Sequence, residues 1–201
     1  MTANMSVVES NKSSSDKAAV DVLLLQRVAK RDRGAFEELF EIYHPRLFSF
    51  LFRLTSSHSA AEELANDVLL TLWKDAGRFR GASKVSTWIF GIAYRQALAH
   101  LRKHRFQARS IRDEDAMVSA GDARLEREDW VRQGIDTLPA KQKLTVMLVY
   151  FLGLTCEETA TASGVPVSTV KTRMFHARKN LKEYLTASGI PEDRRKEFLN
   201  E

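Results

Sequence analysis

Cysteine, glycine and proline are scarce in this sequence of 201 residues, which contains one Cys, nine Gly and four Pro. The lone cysteine, Cys156, cannot form an intrachain disulfide, and together with five scattered His it leaves too few ligands for a structural zinc site. Folds made of many short strands need frequent turns, which glycine and proline supply. The shortage of both residues therefore favours helices.

A long apolar run is also missing. The longest, Met147–Leu154, is far shorter than the roughly 20 residues that a membrane-spanning helix needs. The first residues are polar, with five serines before residue 20, and lack the apolar centre of a secretory signal. We therefore expect no membrane insertion, a cytoplasmic location and a disordered leader over residues 1–20.

Motifs for covalent chemistry are absent as well. The sequence has no glycine-rich phosphate loop, nucleophile elbow or metal-binding motif. The neighbours Glu62–Glu63 and Glu157–Glu158 point in different directions on a helix and make poor acid–base pairs. His100 and His104 share a helical face, but no acid or cysteine nearby completes a metal site. We predict no catalytic residue, no metal and no cofactor, so the chain is not expected to be an enzyme.

Charge is distributed in blocks along the chain. Residues 32–75 hold eight acids and four bases, whereas residues 78–109 hold eight bases and no acid. Residues 110–130 are acidic again, with seven acids and three bases, and residues 163–182 hold five bases and no acid. Two acid-free basic segments on probable helices indicate a polyanionic partner, since phosphates attract clustered Lys and Arg.

Four helices are predicted in the N-terminal half, because apolar residues recur there at spacings of three and four. Their ranges are 21–31, 36–54, 61–72 and 85–101. Pro45 lies inside the second helix, where a missing backbone hydrogen bond predicts a kink or break near residues 41–43. Gly77 follows the third helix and is predicted to cap its carboxyl end.

A second helical group begins near Ala123. A first helix is predicted to about Thr137, and Pro139 begins a second that ends at Gly153. The spacing of Thr155 and Glu158 matches a capping box at the start of a third. The expected fold class is all-α, with two small helical domains at 21–105 and 125–185, an acidic flexible linker at 106–124 and a tail at 186–201.

The last two helices form a predicted helix-turn-helix within CEETATASGVPVSTVKTRMFHARKNL. Val170, Met174, Ala177 and Leu181 fall on one face of the final helix and are predicted to pack inward. The opposite face is polar and basic, which suits the second helix of this motif because that helix lies in the DNA major groove.

The chain from about Asp21 to Leu185 resembles the extracytoplasmic-function (ECF) sigma factors of bacterial RNA polymerase. The resemblance rests on AFEELFEIYHPRLFSF, AAEELANDVLLTLWKDAGRFRG, STWIFGIAYRQALAHLRKHR and LPAKQKLTVMLVYFLGLTCEETATASGVPVSTVKTRMFHARKNL, in family order and spacing. It implies a sigma-two domain, a sigma-four domain, an alternative sigma factor that directs promoter-specific initiation, and control by an anti-sigma factor. The implied partners are core RNA polymerase, through its beta-prime clamp and beta flap, and promoter DNA.

The resemblance also implies roles for individual residues. The residues implied to bind core polymerase are Glu62, Glu63, Asn66 and Asp67. Those implied to bind the minus-ten element are Phe79, Arg80, Ser83, Lys84, Arg95, Arg102, Lys103 and Arg105. Those implied to bind the minus-thirty-five element are Ser168, Thr169, Lys171, Thr172, Arg173, His176, Arg178 and Lys179.

Two alternatives belong to other functional classes. The first is a sigma-like decoy or adaptor that sequesters an anti-sigma factor and does not bind DNA. The second is a stand-alone helix-turn-helix repressor, which would form a stable homodimer without polymerase.

Overall fold

The computed structural model of the protein describes residues 17–110 and 126–188, with side chains described for 17–103 and 132–188. These residues form helices, turns and loops without a strand, and they divide into two compact units. The all-α fold class is therefore confirmed. Within the described ranges, no helix combines the length and apolarity needed to span a bilayer.

Four helices form the N-terminal unit. They are α1 at residues 17–29, α2 at Arg33–Thr55, α3 at His58–Asp75 and α4 at Val85–Ser110, with a 3₁₀ turn at Ala76–Arg78 between the last two. The part of α4 after Ala97 is grouped with the second unit. Two side chains cap the helices: Asp32 accepts from the amide of Ala35 at 3.1 Å, and Ser57 accepts from the amide of Ala60 at 3.3 Å. These caps satisfy amide donors that have no partner inside a helix.

The core of this unit lies between α2, α3 and α4. It consists of apolar side chains at helical spacing on each of the three elements. Its largest fully buried members on α2 and α4 are Leu39, Tyr43, Leu47, Phe50, Leu51, Ile89 and Phe90. Burial of side chains of this size contributes about 1.5–3 kcal/mol each, which is the main force holding the helices together.

The prediction near residues 41–43 was a kink or a break, and helix α2 continues through Pro45 without a break. Pro45 itself is exposed, while Tyr43 and Leu47 on either side are buried. The tertiary packing of one face therefore maintains the helix where one backbone hydrogen bond is missing.

Gly77 does not cap α3, contrary to the prediction. The capping position is Ala76, in a right-handed conformation, and Gly77 lies inside the 3₁₀ turn. The left-handed conformation that favours glycine occurs instead at Gly81, whose φ is 73°. The turn continues the helical course for three more residues, so no left-handed cap is needed.

Two predicted domain boundaries differ from the helix ends. Helix α1 is already formed at residue 17, inside the predicted leader, and α4 extends past residue 105 to Ser110, inside the predicted linker. In both places the apolar spacing has stopped, but residues with good helix propensity such as Ala, Lys, Arg and Gln continue. The remaining parts of the predicted leader, linker and tail lie outside the described residues.

The C-terminal unit contains α5 at Glu126–Thr137, α6 at Ala140–Val146, α7 at Cys156–Ser163 and α8 at Val167–Ala187. Between α6 and α7 the chain forms a five-residue π-helical segment, Met147–Phe151, that the sequence did not predict. The predicted helix ending near Gly153 is thus α6 followed by this segment. Gly153 has a φ of 67° and ends it.

Candidate functional site

The predicted helix-turn-helix is formed by α7, a turn at Gly164–Pro166 and α8. The capping box at its start is confirmed, since the Glu158 amide donates to Oγ1 of Thr155 at 3.1 Å and the Thr155 amide donates to Oε2 of Glu158 at 3.0 Å. Gly164 has a φ of 66°, as a sharp turn requires. Both of these amide donors are satisfied within the motif, which fixes the conformation of the chain where α7 begins.

The inward face of α8 is buried as predicted. Val170 and Ala177 are fully buried, Met174 is 6% exposed, and Leu181 packs partly buried against the same apolar cluster. A helix held along one line by these side chains must present the opposite line to solvent.

The sides of α8 away from the buried line, called here the α8 face, carry every predicted minus-thirty-five residue. Its outermost line consists of Ser168, Thr172, Phe175 and Lys179, all exposed and spaced by three or four. Phe175 is 65% exposed, which is unusual for an aromatic side chain and fits contact with a thymine methyl group. The other predicted members are Thr169, Lys171, Arg173, His176 and Arg178, of which Thr169 and Arg173 are half-buried.

Arg178 on the α8 face is held by a residue outside the helix-turn-helix. Its Nε and Nη2 donate to the hydroxyl oxygen of Tyr150 at 3.0 and 2.6 Å. Tyr150 belongs to the π-helical segment and is 54% exposed. Sequence reasoning missed Tyr150, because 28 residues separate it from Arg178 and no periodic pattern links them.

The predicted minus-ten residues lie on the loop before α4 and along α4 itself. Phe79 packs edge-on against Trp88, with ring centroids 5.7 Å apart, so both rings are half-buried and ordered. Ser83 is half-buried and its hydroxyl donates to the carbonyl oxygen of Lys84 at 3.3 Å, while Arg80 and Lys84 are exposed.

The basic residues of α4 are solvent-exposed wherever their side chains are described. Trp88, Arg95 and Arg102 follow one another at intervals of seven residues, which places them along one side of the helix. Lys103 is exposed next to Arg102, whereas the side chain of Arg105 lies outside the described residues. The Phe79–Trp88 contact thus lies on the same side of α4 as Arg95 and Arg102.

The predicted polymerase-binding residues of α3 share a polar side of that helix, called here the α3 face. Glu63, Asn66 and Asp67 are exposed, and Glu62 is half-buried. Oε1 of Glu62 lies 3.1 Å from Nε2 of His44 on α2 and accepts from Nδ2 of the Asn66 side chain at 3.5 Å. The structure therefore brings all four together, with one carboxylate engaged by a neighbouring helix.

His44 is also part of a row of aromatic rings on α2. The rings lie at intervals of four residues, and each contacts the next, with centroid separations between 4.8 and 6.4 Å. The members of the row are Phe36, Phe40, His44, Phe48 and Phe52. Sequence reasoning did not detect this row, whose central member His44 contacts Glu62 on α3.

The possible metal and redox residues have ordinary surroundings. Among the described residues, no group of three or more His, Cys, Asp or Glu is placed to hold a metal ion. The side chain of His104, half of the predicted histidine pair, lies outside the described residues. Cys156 is a free, half-buried thiol in the first turn of α7.

Comparison with known proteins assigns both units to one family. Residues 39–107 match the Sigma-70 region 2 family model, and residues 128–181 match Sigma-70, region 4. The ECF RNA polymerase sigma factor RpoE of Cereibacter sphaeroides is 33% identical over 161 residues, covering 78% of this chain and 89% of that protein. The RNA polymerase sigma-H factor of Pseudomonas aeruginosa is 31% identical over 180 residues, covering 82% and 93%.

A solved structure shares the fold. It is a co-crystal structure of the sigma factor RpoE with the anti-sigma factor NepR from Bartonella quintana, 25% identical with a TM-score of 0.59, covering 75% of this chain and 96% of that chain. The resemblance stated from the sequence is confirmed by these matches. The chain belongs to the ECF family of RNA polymerase sigma factors.

Proposed function

We propose that this alternative sigma factor binds core RNA polymerase through the α3 face and the minus-thirty-five element through the α8 face. The loop at residues 79–84 and the basic side of α4 bind the minus-ten element. The observation that carries the proposal is the α8 face, held outward by the buried line from Val170 to Ala177, in a segment whose residues 163–182 hold five bases and no acid. It lies in the region that matches sigma-70 region 4.

The chemistry of the α8 face suits recognition of a duplex. Lys171, Arg173 and Lys179 supply charge for phosphates, and arginine can also donate two hydrogen bonds to a guanine edge. The Thr172 hydroxyl donates to the carbonyl oxygen of Ser168 at 2.9 Å, which leaves its oxygen as an acceptor for a base amino group. The face thus combines phosphate-positioning groups with groups that distinguish bases.

The minus-ten site fits single-stranded DNA better than a duplex. The ordered Phe79–Trp88 pair supplies aromatic surface on which unpaired bases stack, and Arg95 and Arg102 continue the basic side along α4. Ser83 and Lys84 offer polar groups next to the rings for a flipped base. We assign this site to the non-template strand.

The α3 face carries negative charge, which makes it unsuited to DNA and complementary to a basic protein surface. We assign it to the beta-prime clamp, with the C-terminal unit contacting the beta flap. Polymerase then performs the covalent chemistry, and this chain contributes recognition alone without a cofactor. We place the complex in the cytoplasm, where core polymerase works.

Control by an anti-sigma factor completes the proposal. The related sigma factor from Bartonella quintana was crystallised with an anti-sigma factor. A partner of this kind would have to cover the α3 face, the α8 face or both to keep the sigma factor from polymerase and DNA. The decoy alternative leaves the α8 face without a role, because a decoy does not bind DNA. The repressor alternative leaves the α3 face without a role, because a repressor acts without polymerase.

A cleavage map tests the two assigned DNA sites. The chain has one cysteine, so Cys156→Ser gives a background in which Ser83→Cys or Lys171→Cys carries a single DNA-cleaving iron chelate. In holoenzyme on a transcribed promoter, we expect cleavage near the minus-ten element from position 83 and near the minus-thirty-five element from position 171. Cleavage of both elements from one position, or exchange of the two sites, would contradict the assignment.

A further inference from the structure

The pair formed by Tyr150 and Arg178 joins the α8 face to a separate element, the π-helical segment. Two guanidinium N–H groups of Arg178 converge on one phenol oxygen, at 3.0 and 2.6 Å, and the guanidinium carbon lies 5.8 Å from the ring centroid. Both side chains are exposed. An exposed arginine ordinarily samples many rotamers, so two hydrogen bonds to one oxygen restrict the direction of its remaining donors.

The π-helical segment places Tyr150 at this position. Its wide turn is closed by the amide of Leu152, which donates to the carbonyl oxygen of Met147 at 3.2 Å. Tyr150 lies within this segment, is 54% exposed and stands beside Arg178 of α8. Irregular turns of this kind recur at functional sites, where they aim a side chain that a regular helix would place elsewhere.

The pair retains free hydrogen-bonding capacity. Arginine has five N–H donors, of which two are used here, and the phenol O–H can still donate because its oxygen acts as the acceptor. No carboxylate within the described residues neutralises Arg178. The result is a positive charge and several donors, all held at one edge of the α8 face.

We propose that Tyr150 and Arg178 together form a binding site for one backbone phosphate of promoter DNA. Tyr150 positions the guanidinium and adds its own hydroxyl as a donor. This inference rests on the proposed function, because it takes the α8 face to be the surface that enters the major groove. It adds a residue outside the helix-turn-helix to the DNA-binding surface and gives it a role independent of base sequence.

The position of the pair favours a phosphate over a base. Lys171 and Arg178, seven residues apart, lie along one edge of α8, away from its outermost line. When a recognition helix lies in the major groove, its outermost line approaches the base edges and its flanks approach the phosphates. A rigid guanidinium with a neighbouring hydroxyl also matches the oxygen geometry of a phosphate.

Phosphate neutralisation in the promoter gives a direct test. The binding of holoenzyme to a transcribed promoter duplex is measured with methylphosphonate replacing one phosphate at a time around the minus-thirty-five element. The proteins compared are wild type, Tyr150→Phe, Arg178→Lys and the double variant. Tyr184→Phe is the matched control, since its hydroxyl donates to Gln133 at 3.2 Å and it likewise loses one phenol oxygen.

We expect Tyr150→Phe and Arg178→Lys each to weaken promoter binding about tenfold, as for loss of a charge-assisted hydrogen bond. The double variant should bind no more weakly than Arg178→Lys alone, because the two residues serve one phosphate. Neutralising that phosphate should weaken wild-type binding and should weaken Tyr150→Phe binding by less, because Arg178 keeps its charge but has lost the phenol that positions it. The Tyr184→Phe control should match wild type at every position.

Two results would overturn the inference. One is a Tyr150→Phe protein that binds like wild type while Arg178→Lys is weakened. The other is a Tyr150→Phe protein that responds to every methylphosphonate as wild type does. Wild-type holoenzyme that binds without dependence on the minus-thirty-five element would instead contradict the proposed function, so the two failures are distinguishable.

Discussion

The hydroxyl of Tyr43 on α2 donates a hydrogen bond of 2.5 Å to Oδ2 of Asp21 on α1. Tyr43 is fully buried and Asp21 is 6% exposed, so the contact lies inside the N-terminal unit. The second carboxylate oxygen, Oδ1 of Asp21, is buried without a hydrogen-bond partner among the described residues. A buried carboxylate needs a hydrogen-bond donor, and here the phenol supplies it. This hydrogen bond therefore links α1 to α2.

Removing the phenol oxygen should therefore destabilise the unit. We expect Tyr43→Phe to lower the free energy of unfolding by about 1–3 kcal/mol, because it leaves the buried Asp21 carboxylate without its donor. Adding Asp21→Leu removes the unsatisfied group and should restore part of the loss. Urea unfolding followed by circular dichroism measures both. A Tyr43→Phe protein as stable as wild type would show that the hydrogen bond contributes nothing.

The same hydrogen bond predicts an alkaline effect. Burial, and then the hydrogen bond with Asp21, raises the pKa of Tyr43 above its ordinary value. The folded state keeps this proton to higher pH than the unfolded state, so the stabilisation is complete below the ordinary tyrosine pKa of about 10 and falls as pH rises above it. Wild type should lose more stability above that pH than Tyr43→Phe does. If urea unfolding showed the same loss of stability in both proteins, the alkaline effect would not come from Tyr43.

In the C-terminal unit, an ion pair connects α5 to α6. Nζ of Lys143 lies 2.6 Å from Oδ1 of Asp136, and the lysine side chain is 9% exposed. We expect Asp136→Asn to lower stability by about 1–3 kcal/mol, since a buried ammonium loses its countercharge. Lys143→Met keeps an apolar side chain and removes the buried charge, so it should lower stability by less than Asp136→Asn does. Thermal melting compares the two variants, and we expect the lower melting temperature for Asp136→Asn. A lower melting temperature for Lys143→Met would contradict this prediction.

Different substitutions should weaken binding to polymerase and binding to promoter. Asp67→Ala removes one carboxylate of the α3 face but keeps the backbone carbonyl that accepts from Thr71 and Gln96, at 2.8 and 3.3 Å. It should weaken association with core polymerase, measured by native gel shift, without lowering the melting temperature.

The α8 face should show the converse. Arg173→Ala and the fully exposed Lys171→Ala should each reduce promoter binding by holoenzyme and leave core association unchanged. In a plot of the logarithm of the promoter-binding constant against the logarithm of the salt concentration, the slope should also become shallower by about one for each phosphate contact removed. Loss of core association in either variant would place polymerase contacts on α8 and contradict the division of roles.

Local and periodic features of this protein could be predicted from its sequence. The capping box of Thr155 and Glu158 depends on residues three apart, and the buried line on α8 depends on helical spacing, so neither needs knowledge of tertiary contacts. Each of these predictions is confirmed in the structure.

Features that depend on distant contacts could not be predicted. Tyr43 and Asp21 are 22 residues apart, and Tyr150 and Arg178 are 28 apart, with no pattern that pairs them. The π-helical segment has the same apolar composition as an α-helical continuation. At Pro45 packing on the buried face maintained α2 without a break. Tertiary packing decided each of these cases.

The central claim is that this chain gives core RNA polymerase promoter specificity. Run-off transcription on a pool of genomic promoter fragments tests it, with core polymerase alone and with core polymerase plus this protein. The account predicts discrete transcripts that appear only with the protein and disappear with Asp67→Ala or Arg173→Ala. Tight binding to core polymerase without any new transcript, or no binding to core polymerase at all, would contradict it.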